Sequence, residues 1–497
     1  MSNNGYLLGY DVGSSFVKGC LIDSETGRLV ASASAPGQEM EMVSDQPGWA
    51  EQSPTMWWKQ IVSVTRQLLA ESGVQGKGIV AIGISYQMHG LVVVDKNRKV
   101  LRPSIIWCDG RAVQYGQKAF QELGQEECLG RFLNSPGNFT ASKLKWVKEN
   151  EPEIYEKVDK VMLPGDYIGM KLTGEIRTTV SGLSEGIFWD YKEEGTATSL
   201  LDYYGISADL LPEALPSFGD HGQLTSEAAD ELGLSQGTKV TYRAGDQPNN
   251  AFSLNVLEPG EVAATAGTSG VVYGITDQPD YDAASRVNSF VHVNHKKDRP
   301  RYGVLLCVNG SGILNSWLKR NLGIDNALDY DQMNVLASEA PIGSDGLVIL
   351  PFGNGAERIL ENRDIGAQIH GLQFNRHSTA HMLRAAQEGV VFALNYGFLV
   401  MKDMGMKLDT VKAGHANMFL SPVFRDTFVH TTGTTLELYN TDGAQGAARG
   451  AGVGAGIYSN PSEAFSGLKR IDVIEPDENR VSRYEEAYQQ WADKLPF

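Results

Sequence analysis

A chain of 497 residues with 42% hydrophobic and 21% charged side chains is too long for one core. It has the balance of a soluble globular protein with two or more domains. A net charge of −17 argues against nucleic acid or an anionic membrane as the main partner.

No apolar run reaches membrane-spanning length. The start, MSNNGYLLGYDVG, lacks a basic region followed by an apolar one. Cys20, Cys108, Cys128 and Cys307 have neither metal-ligand nor redox spacing and read as reduced thiols. A cytoplasmic protein is the expectation.

Residues 6–10, YLLGY, read as a buried strand, and KGCLID reads as a second strand after the turn in DVGSSFVKG. The Gly-Ser-Ser turn therefore lies inside a β-hairpin. The GxxxxGK[ST] loop between strand and helix does not occur. A hairpin glycine lets the backbone approach a ligand. Gly13, Ser14, Ser15 and Lys18 can hold phosphate oxygens there, and Asp11 can hold Mg2+ directly or through water. The plainer alternative is an ordinary hairpin with a solvent-facing Lys18.

Ser53 and Pro54 open a predicted helix whose core face is Trp57, Ile61, Val64 and Leu68. Trp49 and Glu51 precede it on a loop. An aromatic beside a carboxylate suits a polyol, and core packing of Trp49 suits it equally. IVAIGIS (79–85) and LVVVD (91–95) predict strands. Gln87 and His89 then project from YQMHG at a strand end, where α/β folds place ligand contacts. IIWCDGR (105–111) predicts a strand ending in Asp109 and Arg111. TASKLKWVKENEP predicts a helix with Leu144 and Val147 inward. VMLPGDYIGMKLTG reads as strand, turn and helix. SGLSEGIFW (181–189), rich in Gly and Ser with aromatics, is suited to line a pocket. Short helices are expected over 190–240.

VTYRAG predicts a short strand between polar loops, with Asp246 just after it. A carboxylate at a strand end can take a proton from a substrate hydroxyl. Alone, it reads as well as a turn aspartate before a Pro-Asn-Asn loop. EVAATAGTSGVVYGIT (261–276) then repeats the first hairpin: strand, Gly-Thr-Ser-Gly turn, strand. Gly267, Thr268 and Ser269 offer a second phosphate cradle. One such hairpin in each half predicts a duplicated domain closing on one nucleotide. With Asp246, this points to phosphoryl transfer from ATP to an alcohol.

VLLCVNGSGILNSWLKRNL (304–322) predicts strand, Gly turn and a helix with Ile313, Leu314, Trp317 and Leu318 apolar. GLVILPFGNGAER predicts a buried strand and a polar loop. Ser378 precedes a long helix with the stripe Met382, Ala386, Val390, Ala393, Leu394 and Phe398. TVKAGHANMFLSPVFRDTF (410–428) reads as strand, Gly loop and helix, and the loop lets adenine lie against backbone. GAQGAARGAGVGAG (443–456) lacks the context of a dinucleotide motif. It reads as small residues on a tightly packed helix. A charged amphipathic helix begins near 478.

Taken in order, DVGSSFVK, WAEQSP, QMHG, WCDGR, LPGDYI, AGD, TAGTSG and GAQIHGL…HMLRAAQEG resemble the FGGY family of carbohydrate kinases over residues 6 to about 457. The resemblance implies an α/β protein with two ribonuclease-H-like domains of the actin-like ATPase superfamily, flanking a cleft. It divides the chain into 1–247 on the sugar side, 248–477 on the nucleotide side, and a helix over 478–497. It implies Asp246 as catalytic base and Asp11 at Mg2+. Gly13, Ser14, Ser15, Lys18, Gly267, Thr268 and Ser269 match the two phosphate loops. Gly312, Gly414 and Asn417 match positions near the nucleotide, and Trp49, Gln87, Met88, His89 and Gln247 fall on the sugar side.

QMHG and RPSIIWCDGR imply a ketopentose acceptor such as D-xylulose. Asp246-Gln247 stands where ketopentose members often have Asp-Asn, and the pair is familiar in glycerol-phosphorylating members. AGHANM departs from the usual adenine loop. Glycerol or ribulose as acceptor, an actin-like ATPase switch and a catalytically dead sugar-binding regulator are the competing readings. ATP and Mg2+ are the expected cofactors, a homodimer is compatible, and neither nucleic acid nor membrane is an expected partner.

Overall fold

Every second side chain of YLLGYDV has a different neighbour layer, so the strand Tyr6–Val12 is buried almost throughout. The computed structural model describes residues 5–496 except 323–327, 356, 361, 362, 364, 459 and 460. Tyr6–Val12 pairs antiparallel with Val17–Asp23, which pairs antiparallel with Leu29–Ala35. Its other edge runs parallel to Ile79–Tyr86, itself parallel to Lys239–Gly245.

The pleat places Tyr10 and Gly19 on one face and Gly9 on the other. The helix Pro54–Ser72 covers the first face: Trp57, Ile61, Val64 and Leu68 are fully buried, and Tyr10 Oη meets Thr65 Oγ1 at 2.5 Å. Pro54 opens this helix as expected, but the Ser53 hydroxyl goes to Thr55 Oγ1. The helix Gly443–Gly454 covers the second face so closely that a Cβ on Gly83 would stand 2.0 Å from Ala447 O. Its small residues serve packing, as their pattern predicts.

A second sheet repeats this plan. Val262–Ala266 pairs antiparallel with Gly270–Thr276 and parallel with Thr410–Gly414, which is parallel to Thr435–Tyr439. Tyr302–Val308 adjoins Gly270–Thr276 in the position that Leu29–Ala35 holds in the first sheet. The duplicated hairpin design is thus a duplicated sheet order. The helix Thr379–Asp403 buries Ala386, Val390, Ala393, Leu394 and Phe398 in this core. The tail helix Glu478–Ala492 buries Tyr484, Ala487 and Trp491, with Trp491 Nε1 donating to Ile349 O at 3.0 Å.

The chain forms two compact units. One gathers residues 1–255, 290–302 and 441–468, and the other 256–289, 303–440 and 469–497. Residues 441–468, which the sequence groups with the nucleotide side, therefore pack with the first unit.

Local expectations are corrected at DQPNN, IIWCDGR and Trp317. DQPNN is not a polar loop: Asp246–Ser253 is a helix, with Pro248 in its first turn, where its missing N–H costs no bond. Ser181–Glu185 lies in the short helix Val180–Glu185, whose first turn is held by Gly182 N donating to Thr179 Oγ1. IIWCDGR is strand only at Ser104–Ile105. Beyond that, the Asp109 carboxylate gathers Ala50 N, Arg111 N and the Arg111 guanidinium, which bends the chain. Trp317, expected to be apolar-facing, is 49% exposed, while its neighbour Leu318 is buried.

Candidate active site

Asp246 is the first residue of the helix Asp246–Ser253 and directly follows the strand end Gly245. Burial, and then the neighbouring Asp11 carboxylate, push its pKa up to about 7, against a smaller opposing pull from Gln247. Asp11 lies near the end of its own strand. Burial raises its pKa too, while Lys18 and the Ser85 hydroxyl, which donates to Asp11 Oδ1 at 2.9 Å, hold it down. Asp442 adds a further negative charge nearby. The helix Gly443–Gly454 starts against Asp11, whose Oδ2 is 2.4 Å from where a Gly443 Cβ would stand.

The Asp11 carboxylate raises the pKa of the Asp246 carboxylate, and Lys18 offsets part of the charge on Asp11. The all-oxygen character of the two carboxylates fits Mg2+, a hard cation that keeps several waters and takes few protein ligands. Among the described residues there is no cluster of three or more His, Cys, Asp or Glu side chains that would form an all-protein cage.

Beside Asp246, Met88 and Glu185 crowd the backbone. A Cβ on Gly245 would meet Glu185 Oε2 at 2.5 Å and Met88 Cγ at 2.6 Å, so any larger residue before Asp246 would displace one of these side chains. His89 has left-handed backbone, φ 61°. Its Nδ1 lies 2.9 Å from Glu185 O; a carbonyl can only accept, so Nδ1 carries the proton. The ring packs edge-on against Phe139. The buried Lys143 ammonium donates to His89 O and Ile106 O, both at 2.9 Å.

Gln87 is buried, and its Nε2 donates to Gln52 Oε1 at 3.3 Å. Gln52 Nε2 in turn donates to Ser14 O at 2.6 Å, and Trp107 Nε1 to Ser14 Oγ at 3.4 Å. This chain ties the Gln87–His89 loop to the turn Gly13–Phe16, closed by Gly13 N donating to Phe16 O. Ser15 O accepts from Met40 N, and Lys18 is exposed opposite Asp11. Trp49 lies under the Arg111 guanidinium, 3.8 Å from its ring centroid, and edge-on to Trp146. That stack, with Arg111 bound by Asp109 and Glu51, occupies one Trp49 face. Gln247 is next to Asp246 and partly exposed.

In the second unit, the turn Gly267–Ser269 receives the start of the helix Gly312–Leu322. Gly312 N donates to Gly267 O at 2.9 Å and Ile313 N to Thr268 O at 3.2 Å. Asn417, with φ 53°, brings Nδ2 within 3.6 Å of the Gly267 Cβ position, and Gly414 O accepts from Ala416 N. Gly267, Thr268, Gly312, Gly414 and Asn417 are therefore one cluster. Glu185, Ser85 and Lys143 were not anticipated. Only Ser85, two residues before Gln87 in the strand and in register with Asp11, had a signal that pairing could have exposed.

Two sheets that share a five-strand order, the second carrying one more strand at each edge, and each built on a glycine-turn hairpin, define the actin-like ATPase fold. The chain belongs to the FGGY family of carbohydrate kinases: the family's N-terminal domain matches residues 6–253 and its C-terminal domain residues 262–455. It is 29% identical over 489 residues to the xylulose kinase of Bacillus subtilis, spanning 96% of this chain and 94% of that one. Among solved structures it is similar to a xyloylose kinase from Brucella ovis, with TM-score 0.86, 26% identity and 99% of both chains covered. It shares the fold of Plasmodium falciparum glycerol kinase, with TM-score 0.86, 20% identity and 99% of both chains covered. The protein is a carbohydrate kinase, and its family implies ATP as phosphoryl donor. No described helix is long and apolar enough to cross a membrane.

Proposed function

We propose that this kinase phosphorylates a ketopentose, D-xylulose before others, at a hydroxyl, with Asp246 as general base. The observation that carries the reading is the Asp246 carboxylate at a strand end, held near pKa 7 beside Met88 and His89. A base of that pKa is substantially ionised at neutral pH and still accepts a proton readily.

As the sugar oxygen attacks the γ-phosphorus of ATP, its proton passes to the Asp246 carboxylate, the new O–P bond forms and ADP leaves. Met88, His89, Gln87 and Gln247 orient the sugar, and Trp49 walls it. Gly13, Ser14, Ser15, Lys18, Gly267, Thr268 and Ser269 meet the phosphates, with Gly312, Gly414 and Asn417 near the nucleoside. Asp11 would hold Mg2+, which when bound neutralises charge on the phosphate oxygens. The first unit is thus the sugar-binding half and the second the nucleotide-binding half, in a cytoplasmic enzyme.

Glycerol is the second reading, favoured by Gln247 following Asp246. The test is ADP release coupled to NADH oxidation, with MgATP and a panel of D-xylulose, D-ribulose, L-ribulose, L-xylulose and glycerol. Turnover concentrated on D-xylulose supports the proposal. Turnover mainly on glycerol transfers it to the second reading. ATP hydrolysis indifferent to every polyol refutes both.

A further inference from the structure

Glu185 ends the helix Val180–Glu185 and is 1% exposed. Both carboxyl oxygens are buried without a hydrogen-bond partner among the described residues. The Tyr86 hydroxyl stands close enough to act on this carboxyl as a hydrogen-bond donor, which opposes the effect of burial but leaves the carboxyl with further hydrogen-bonding capacity. A buried polar atom left this way is costly unless a ligand or ordered water takes it up. The position is specific. Glu185 Oε2 lies against Gly245, which precedes Asp246, next to Met88, while Glu185 O fixes the His89 ring. One otherwise unused acid thus holds the His89 ring through its carbonyl, borders Gly245 together with Met88, and bears electrostatically on Asp246.

We propose that Glu185 is a sugar-binding residue whose carboxyl pairs with one hydroxyl of the acceptor. Burial, with Asp246 and Asp166 nearby, holds this carboxyl protonated well above the usual range. It therefore presents one O–H donor and one carbonyl acceptor to the sugar and adds no third charge beside Asp11 and Asp246. A hydroxyl, itself donor and acceptor, is the group that satisfies both. This inference rests on the kinase reading above and names a specificity determinant within it.

The test uses the full chain, the polyol it turns over best, and a series of analogues of that polyol each lacking one hydroxyl. Glu185→Leu should raise the sugar KM about 10- to 100-fold, the loss from one hydrogen bond to substrate, with the MgATP KM within twofold. Wild type should reject one deoxy analogue, and Glu185→Leu should no longer distinguish it from the parent sugar. Glu185→Gln, which keeps a donor and an acceptor, should recover most of the loss. Glu185→Asp, which keeps the chemistry and the fold but retracts the carboxyl, should raise the sugar KM several-fold and covers a Leu variant that fails to fold. Unchanged sugar KM in Glu185→Asp or Glu185→Leu, or the wild-type deoxy preference retained in either, overturns the assignment and leaves a bound water as the carboxyl's partner. If wild type turns over no polyol at all, the kinase reading has failed instead.

Discussion

Replacing the proposed base, Asp246, should make the protein more stable as it makes it inactive. Asp246 has a folded pKa of about 7 against an ordinary 3.8, mainly from burial and secondly from Asp11. The native state therefore holds the proton more tightly than the unfolded chain. Native stability from this residue is fully present below pH about 4 and is lost as pH rises to about 7. The interval between the two values corresponds to roughly 4 kcal/mol; partial exposure of the residue reduces this to about 2–4 kcal/mol. Asp246→Asn keeps the shape and removes the charge, so it should recover that amount above pH 7 and about 1 kcal/mol or less at pH 4.5. For a unit of this size the gain is a Tm rise of roughly 3–8 °C at pH 8. Differential scanning calorimetry at both pH values, in EDTA and without sugar or nucleotide, measures it. Steady-state assays should show kcat down about 10²- to 10⁴-fold. An equal Tm change at both pH values, or none at pH 8, would refute the account of Asp246 as a charge held against its environment. Near-normal turnover would refute its role as base.

With both substrates held below their KM, kcat/KM should fall about tenfold per pH unit below an apparent pKa near 7; a flat profile from pH 5.5 to 9 rejects the assignment. Because Asp11 and Asp246 interact, that value belongs to the pair. Lys143→Met strips the donor from His89 O and Ile106 O, so it should lower stability by about 2 kcal/mol or more and raise the sugar KM about tenfold, with the MgATP KM unmoved. Gly83→Val places a side chain where Ala447 O stands 2.0 Å from Cβ. It should cost more than about 3 kcal/mol or prevent folding, and a wild-type melting curve would show that the helix Gly443–Gly454 does not pack as described.

What could be read without coordinates was whatever depended on local period. The stripe from Trp57 to Leu68, the two glycine hairpins and the small-residue helix all follow from neighbours within a few turns, and the structure repeats them. The place of Asp246 directly after the strand VTYRAG is legible in the sequence, and its helical backbone is not. DQPNN has turn chemistry in isolation and becomes helical because Pro248 falls in the first turn and Asn249 Nδ2 donates to Gly443 O at 2.9 Å. Trp49 had two equal readings. The face taken by Arg111 depends on a residue 62 positions away, which no local pattern reports. For Glu185 the sequence offers only a pocket-lining stretch, SGLSEGIFW; the residue itself stands out only where Gly245 and Tyr86 surround it.

The duplicated topology also explains why acidic groups converge on Asp11. In each sheet the third parallel strand leads to a helix, and each of those helices begins at an aspartate. Lys239–Gly245 leads to Asp246 and the helix Asp246–Ser253; Thr435–Tyr439 leads to Asp442, which accepts from Gln445 N at 2.9 Å, and the helix Gly443–Gly454. Residues 441–468 belong to the first unit, so both helix starts stand beside Asp11, and both aspartates bear on its charge. The partial positive charge of helix N-termini offsets part of that repulsion, while Ser85 and Lys18 offset more. What is left unbalanced is negative charge at the place where a proton must be taken and a cation suits the oxygens. A fold optimised for stability alone would not gather carboxylates there, so the energetic cost of placing Asp11, Asp246 and Asp442 together supports the proposed site.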